Sequence, residues 1–215
     1  METLSKISIA AADLGEACSL SPEYWLSSRQ LQSMASGIPL PDVATVNRQT
    51  VSRLSERAFV FDTGNADGGL INLRLQSDTA KGRISNKKRV PEGAVIISRL
   101  RPYLKQVAYI PVGFCDALGV EEVLCSTEFY VLIPVKTDSI AFLVPYLLSA
   151  PVQDVFQQAS TGGHHPRFDE QLLTGLSISK ALMKSRREVS MDVEALVLSH
   201  VTAQVRMNRL CTNAN

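Results

Sequence analysis

VPEGAVIISRLRPYLKQVAYIP, residues Val90 to Pro111, is the stretch whose reading decides the fold. Its ends, AVIIS and KQVAYIP, are rich in β-branched and aromatic residues and read as strands. Between them runs RLRPYL, a basic linker with a proline. A second run, VLCSTEFYVLIPV (Val123 to Val135), reads as a further strand with Pro134 near its end. Upstream, RAFVFDTGNADGGLINLRL reads as a strand, a glycine-rich turn and another strand, and IPLPDVATV leads into a short strand.

Helices flank these strands. SLSPEYWLSSRQLQSMASG has Ser21 as N-cap, Pro22 at the first helical position, Glu23 at the positive dipole end and Gly37 as a stop. Two short helices open at Pro145 and Pro151, where a missing N–H costs nothing, and Gly162-Gly163 end the second. DEQLLTGLSI predicts a helical turn opened by Asp169 and then a strand ending near Ile178. From Ala181 to Leu210 there is no Gly or Pro, and Val189, Val193, Val197, Val201 and Val205 recur every four residues with Leu196 beside them. That is one apolar stripe on a long helix, suited either to the domain's own core or to a seam with another helix. The expected fold class is α+β. A globular domain with a mixed β-sheet and short helices fills residues 1–180, and a C-terminal helix fills residues 181–215.

The bulk numbers exclude some classes. The chain has 215 residues, 45% hydrophobic and 20% charged, an ordinary soluble composition. No apolar run is long enough to span a bilayer, and the acid-containing N-terminus does not read as a signal peptide. Cys18, Cys115, Cys125 and Cys211 show no CxxC spacing, which fits reduced thiols in a cytoplasmic protein without a zinc site. The net charge of +1 conceals a basic block. Lys81, Arg83, Lys87, Lys88, Arg89, Arg99, Arg101 and Lys105 stand there against the single acid Glu92. Such a block suggests an anion-binding face, or simply a solvated basic turn.

Catalytic patterns are weak. STGGHHPRF holds His164 and His165, but neighbours on an extended segment point to opposite sides and do not easily share a metal. HExxH, a G-x-S-x-G elbow and a phosphate-cradling loop are all missing from the sequence. A metal-dependent hydrolase or nuclease using His164 and His165 is therefore the minor alternative. DNA binding fits better: Lys and Arg neutralise phosphates, and arginine pairs bidentately with guanine. On an extended segment Arg99 and Arg101 would share one face, with Tyr103 between Arg101 and Lys105. Alternatively these arginines bind acidic neighbours.

Taken in order, VPEGAVIISRLRPYLKQVAYIP, CSTEFYVLIP, VPYLLSAPVQDVFQQASTGGHHPRF and LLTGLSI resemble the target-recognition domain of type I restriction–modification specificity subunits. The resemblance rests on a basic segment of the xxRPxLxK kind and on a match from Ser126 to Pro134. A helix pair follows, and then a loop carrying Thr161, Gly162, His165, Pro166 and Arg167. It covers about residues 85 to 180. The chain departs from the pattern at Ala94, where an acid would follow Gly93, and in having room for one recognition domain and one spacer helix rather than two.

The resemblance implies a non-catalytic subunit that reads double-stranded DNA. Its partners would be DNA adenine methyltransferase subunits, which would carry the S-adenosylmethionine, and a restriction subunit. No cofactor of its own is implied. His164, His165 and Arg167 join the basic block as expected DNA contacts. The implied spacer role assigns the stripe of Val189, Val193, Leu196, Val197, Val201 and Val205 to a homodimer seam. A protein–protein adaptor docking through the same helix is a third reading.

Overall fold

The structure, a computed structural model, describes residue 31 and residues 36–53, 55–73, 86–160 and 164–213. The helix expected from Ser21, apart from its end, lies outside the described residues, as do Cys18, Lys81, Arg83, Thr161 and Gly162-Gly163.

Val95–Ser98 forms a strand (β8) that pairs antiparallel with Val107–Tyr109 (β9), so the opening stretch is indeed two strands. On the other side of β8 lies Phe129–Pro134 (β11), which pairs in turn with Ala44–Asn47 (β2). The first sheet therefore runs β2-β11-β8-β9, antiparallel throughout. Every residue of β8 and β9 is buried, which is why they read as continuous apolar runs instead of alternating ones.

A second sheet is mixed. Its order is Thr50–Val51 (β3), Lys87–Arg89 (β7), Glu122–Cys125 (β10) and Ala58–Phe61 (β4), with β10 parallel to β4 and the other pairs antiparallel. The expected single strand Val123–Val135 is thus two strands in different sheets. Ser126 ends the first: its hydroxyl accepts the Glu128 amide at 3.3 Å and its carbonyl accepts the Phe129 amide at 3.1 Å. That turn carries the chain from one sheet to the other.

Small pairs close the rest. Ala66–Asp67 (β5) and Leu70–Ile71 (β6) form a hairpin around Gly68-Gly69, both at positive φ. Buried Asn65 braces it, accepting from the Asp62 amide and donating to the Asn72 carbonyl, each at 2.8 Å. Ile38–Pro39 (β1) pairs with Ser177–Ile178 (β12). The class is α+β: beside the sheets stand helices Phe114–Leu118 (α1), Leu143–Leu148 (α2), Ala150–Gln158 (α3), Glu170–Thr174 (α4) and Lys180–Asn213 (α5).

Aromatic rings fill two parts of the core. Phe59, Phe61 and Phe114 meet with centroids 4.8–6.0 Å apart. Phe168 stacks on Phe156 at 4.2 Å and meets Tyr130 at 5.7 Å.

α5 has 34 residues, about 50 Å at 1.5 Å per residue. Its valine stripe faces inward: Val197 and Val201 are 2% and 0% exposed, and Val189, Val193 and Val205 pack half-buried on the same core. Leu196, by contrast, is 66% exposed. The stripe is therefore not a free dimer seam, because the domain's own apolar surface already covers it. Polar bonds fix the helix's register. Gln204 donates to the Ile71 carbonyl at 2.6 Å and accepts from the Leu73 amide at 2.9 Å. Ser190 accepts from the Phe142 amide at 3.2 Å, and Glu194 accepts from Tyr109 at 3.2 Å. Among the described residues no helix is long and apolar enough to cross a membrane.

The inward stripe has a measurable consequence. Val201→Ala should destabilise the protein by about 2 kcal/mol, through lost burial and the cavity left behind. Leu196→Ala should cost less than about 0.5 kcal/mol. Urea denaturation of the two variants checks this, and a larger loss at Leu196 would contradict the orientation of α5.

Candidate nucleic-acid interface

β8 ends at Ser98, and the chain does not stay extended through Arg99 and Arg101. Arg101 and Lys105 both adopt left-handed conformations (φ 49° and 52°) on either side of a 3-10 turn, Pro102–Leu104. The expected strand face shared by Arg99 and Arg101 is therefore absent. Pro102 fits the turn's first position and is buried where the turn meets α3.

Two other segments clamp this loop. The Gly68 amide donates to the Lys105 carbonyl at 3.1 Å and the Gly69 amide to the Val107 carbonyl at 2.9 Å. On the opposite side Leu100 bridges antiparallel to Arg167, and the Arg101 amide donates to the Pro166 carbonyl at 2.8 Å. The Phe168 amide reaches the Arg99 carbonyl at 3.2 Å, while Tyr130 donates its hydroxyl to the Phe168 carbonyl at 3.1 Å. A buried aromatic thus anchors the histidine loop beside the arginine loop.

Glu128, in the turn between the sheets, joins the two loops electrostatically. Its carboxylate accepts Arg99 Nε at 3.0 Å, Arg167 Nε at 3.0 Å and Arg167 Nη2 at 2.9 Å. The Arg167 hydrogen bond leads, and with Arg99 it outweighs burial and holds the Glu128 carboxyl below the usual range. Glu128 in turn raises the Arg167 guanidinium. Arg99 and Arg167 are therefore structural cations first, as the alternative of acidic neighbours expected for Arg99.

The remaining expected contacts divide by their partners. Lys88 is half-buried, donating to the Phe129 carbonyl at 2.7 Å and lying 5.5 Å from the Tyr130 ring centroid. Burial lowers its ammonium from the ordinary lysine value. Arg89 pairs with Glu122 at 3.1 Å. Glu92, the one acid counted in the basic block, is engaged elsewhere: it accepts the Gly113 and Cys115 amides at the start of α1, at 2.9 and 2.8 Å. Burial pushes its carboxyl up, and those amides outweigh the burial and hold it low.

Arg101, Tyr103, Lys105, His164 and His165 are brought together with more freedom. Arg101 Nη2 lies 2.9 Å from His165 Nδ1 and donates to the His164 carbonyl at 3.4 Å. Tyr103, Lys105, His164 and His165 are exposed. Lys87, half-buried on β7, has no ion-pair partner among the described residues. Sequence reasoning assigned no role to Glu128, although the turn residues Ser126-Thr127 around it were a usable signal.

The chemistry offered is anion recognition. Beside the Arg101 guanidinium, His165 is a poor cation ligand. Among the described residues, no group of three or more His, Cys, Asp or Glu side chains gathers as a metal site. The buried Cys125 thiol is pushed up to about 12 by burial, which keeps it protonated and unreactive. No protein-family model and no curated protein matches this chain.

The Glu128 clamp sets an acid-side dependence. Because its folded-state pKa is depressed, its stabilisation is fully present above the unfolded value and is lost as pH falls through the folded value. Wild type should be more stable than Glu128→Gln at about pH 6, and the gap should narrow as pH falls below the ordinary glutamate value of about 4.3. Chemical denaturation of both proteins across that range checks the sign. A gap that widens towards acid pH would refute it.

Proposed function

We propose that this chain is a non-catalytic, sequence-specific DNA-binding specificity subunit. It directs a DNA adenine methyltransferase of a type I restriction–modification or related defence system to its target. The observation that carries this reading is the convergence of two acid-free segments, 98–106 and 164–167, which present Arg101, Tyr103, Lys105, His164 and His165 on one surface. Among the described residues neither Arg101 nor Lys105 is in an ion pair, so their charge is available to phosphates, while an exposed tyrosine and the histidines supply stacking and hydrogen-bonding groups. The Glu128-anchored Arg167 borders the same face in this reading.

The partners follow from the proposal. Methyltransferase subunits bring S-adenosylmethionine, a restriction subunit completes the system, and the assembly works in the cytoplasm. Homodimer contact through α5 uses its outward residues instead of the buried valines. Leu196, Met207 and Leu210 are exposed and share one flank at helical spacing. A metal-dependent reading of His164 and His165 is disfavoured by the neighbouring guanidinium. An adaptor reading would use the same outward flank of α5 and would ignore DNA.

Salt titration of binding to a random-sequence duplex tests the assignment. Each phosphate contact contributes about 0.9 to the slope of log affinity against log salt. Arg101→Ala with Lys105→Ala should weaken binding and reduce that slope by about 2. Arg99→Ala should act mainly on stability, since Arg99 is held by Glu128. An unchanged slope in the double variant removes this loop from the DNA face. Co-expression with the methyltransferase, followed by mapping of methylated adenines, then gives the target.

A further inference from the structure

Tyr103 and Leu104 stand out among the large apolar side chains. They are adjacent, 52% and 43% exposed, and sit at the tip of the turn whose base is the buried Pro102. Resting on the DNA-binding reading, we propose that this pair is a wedge inserted between neighbouring base pairs, partly unstacking one step while Arg101 and Lys105 hold the phosphates on either side.

The tip is pre-ordered. The Leu104 amide donates to the Arg101 carbonyl at 2.9 Å and the Lys105 amide to the Pro102 carbonyl at 2.8 Å, closing the turn on itself. Gly68 and Pro166 grip its two ends from opposite sides. A wedge held this way loses little conformational entropy when it enters the stack. The protein keeps two non-glycine residues, Arg101 and Lys105, in left-handed backbone to hold that shape. Strain of this kind persists where surrounding structure enforces it, and it concentrates at functional sites. Arg101 Nε and Gln106 Oε1 are also buried without hydrogen-bond partners in the same loop.

Size and charge argue for DNA over a protein partner. Two side chains are far too small for a stable protein interface, which buries about 1,200–2,000 Å². One or two apolar side chains are what a base step accepts, and such insertion kinks the duplex. Cations on both flanks, with no acid from Ser98 to Gln106, match the phosphates on either side of such a step.

The test uses a closed-circular plasmid relaxed by topoisomerase I in the presence of saturating full-length protein. Insertion unwinds DNA, so wild type and Tyr103→Phe should lower the plasmid's linking number after deproteinisation. A Tyr103→Ala/Leu104→Ala variant should leave it unchanged, while still binding a random-sequence duplex with affinity reduced about tenfold. Its thermal midpoint should match wild type, because both side chains are exposed. Wild type that saturates the plasmid without changing the linking number overturns the wedge and leaves the DNA-binding reading standing. A double variant that keeps the wild-type linking change also overturns it. So does a variant that binds DNA normally but loses the methyltransferase, which would make the tip a protein contact. A chain that binds no duplex overturns both readings.

Discussion

The carboxylate of Glu128 holds two guanidiniums, Arg99 and Arg167, that would otherwise repel each other across the site. Each belongs to a different loop, and each loop carries exposed groups farther along. With the carboxylate ionised, three charge-assisted hydrogen bonds fix the spacing of the loops. The bridge from Leu100 to Arg167 and the Arg101–His165 contact lie along the seam that this spacing creates. Glu128 itself sits where the chain leaves β10 for β11, so the clamp is fastened to the crossing between the two sheets.

That placement explains why the basic block is not one uniform surface. Lys88 turns its ammonium to the Phe129 carbonyl and Tyr130 ring, Arg89 meets Glu122, and Arg99 meets Glu128. These cations serve the fold, joining the mixed sheet to the antiparallel one or bracing a strand. Cations beyond the clamp, Arg101 and Lys105, sit on a strained turn and face solvent or the histidine loop. Charge counted along the chain overstates what is available to an anion, because three of the block's six described cations, Lys88, Arg89 and Arg99, already have fixed partners.

Much of the architecture was legible because its cause is local. β8, β9, α3, α4 and β12 follow from β-branched runs, from Pro151 near a helix start and from Asp169 before one. Where the cause is non-local, the reading failed. Val123–Val135 looks like one strand because its β-rich runs outweigh the turn signal of Ser126 and Thr127, and the Arg99 and Arg167 partners that give Glu128 its role are distant in sequence. Lys87–Arg89 does not look like a strand at all, yet it is held between β3 and β10 by backbone pairing that side-chain pattern does not encode. Alternation suggests that Arg99 and Arg101 lie on one side of an extended segment. Left-handed φ at a non-glycine residue has no sequence signature, and here the Gly68 and Pro166 contacts on the two ends of the loop enforce it.

The valine stripe shows the limit of periodicity. A four-residue repeat says that one face of α5 is covered, and it is silent on what covers it. The buried polar bonds answer that question. Sliding or lifting α5 would strand the Ile71 carbonyl and Leu73 amide that Gln204 satisfies, and would free Ser190 from the Phe142 amide. Unmet polar groups of this kind are expensive in a dry interface, so the helix has one register on the body. β6, which α5 holds through Ile71, belongs to the hairpin whose Gly68-Gly69 turn supports the Arg101–Lys105 loop. Whatever grips the outward residues of α5 is thereby held at a set distance and angle from that loop.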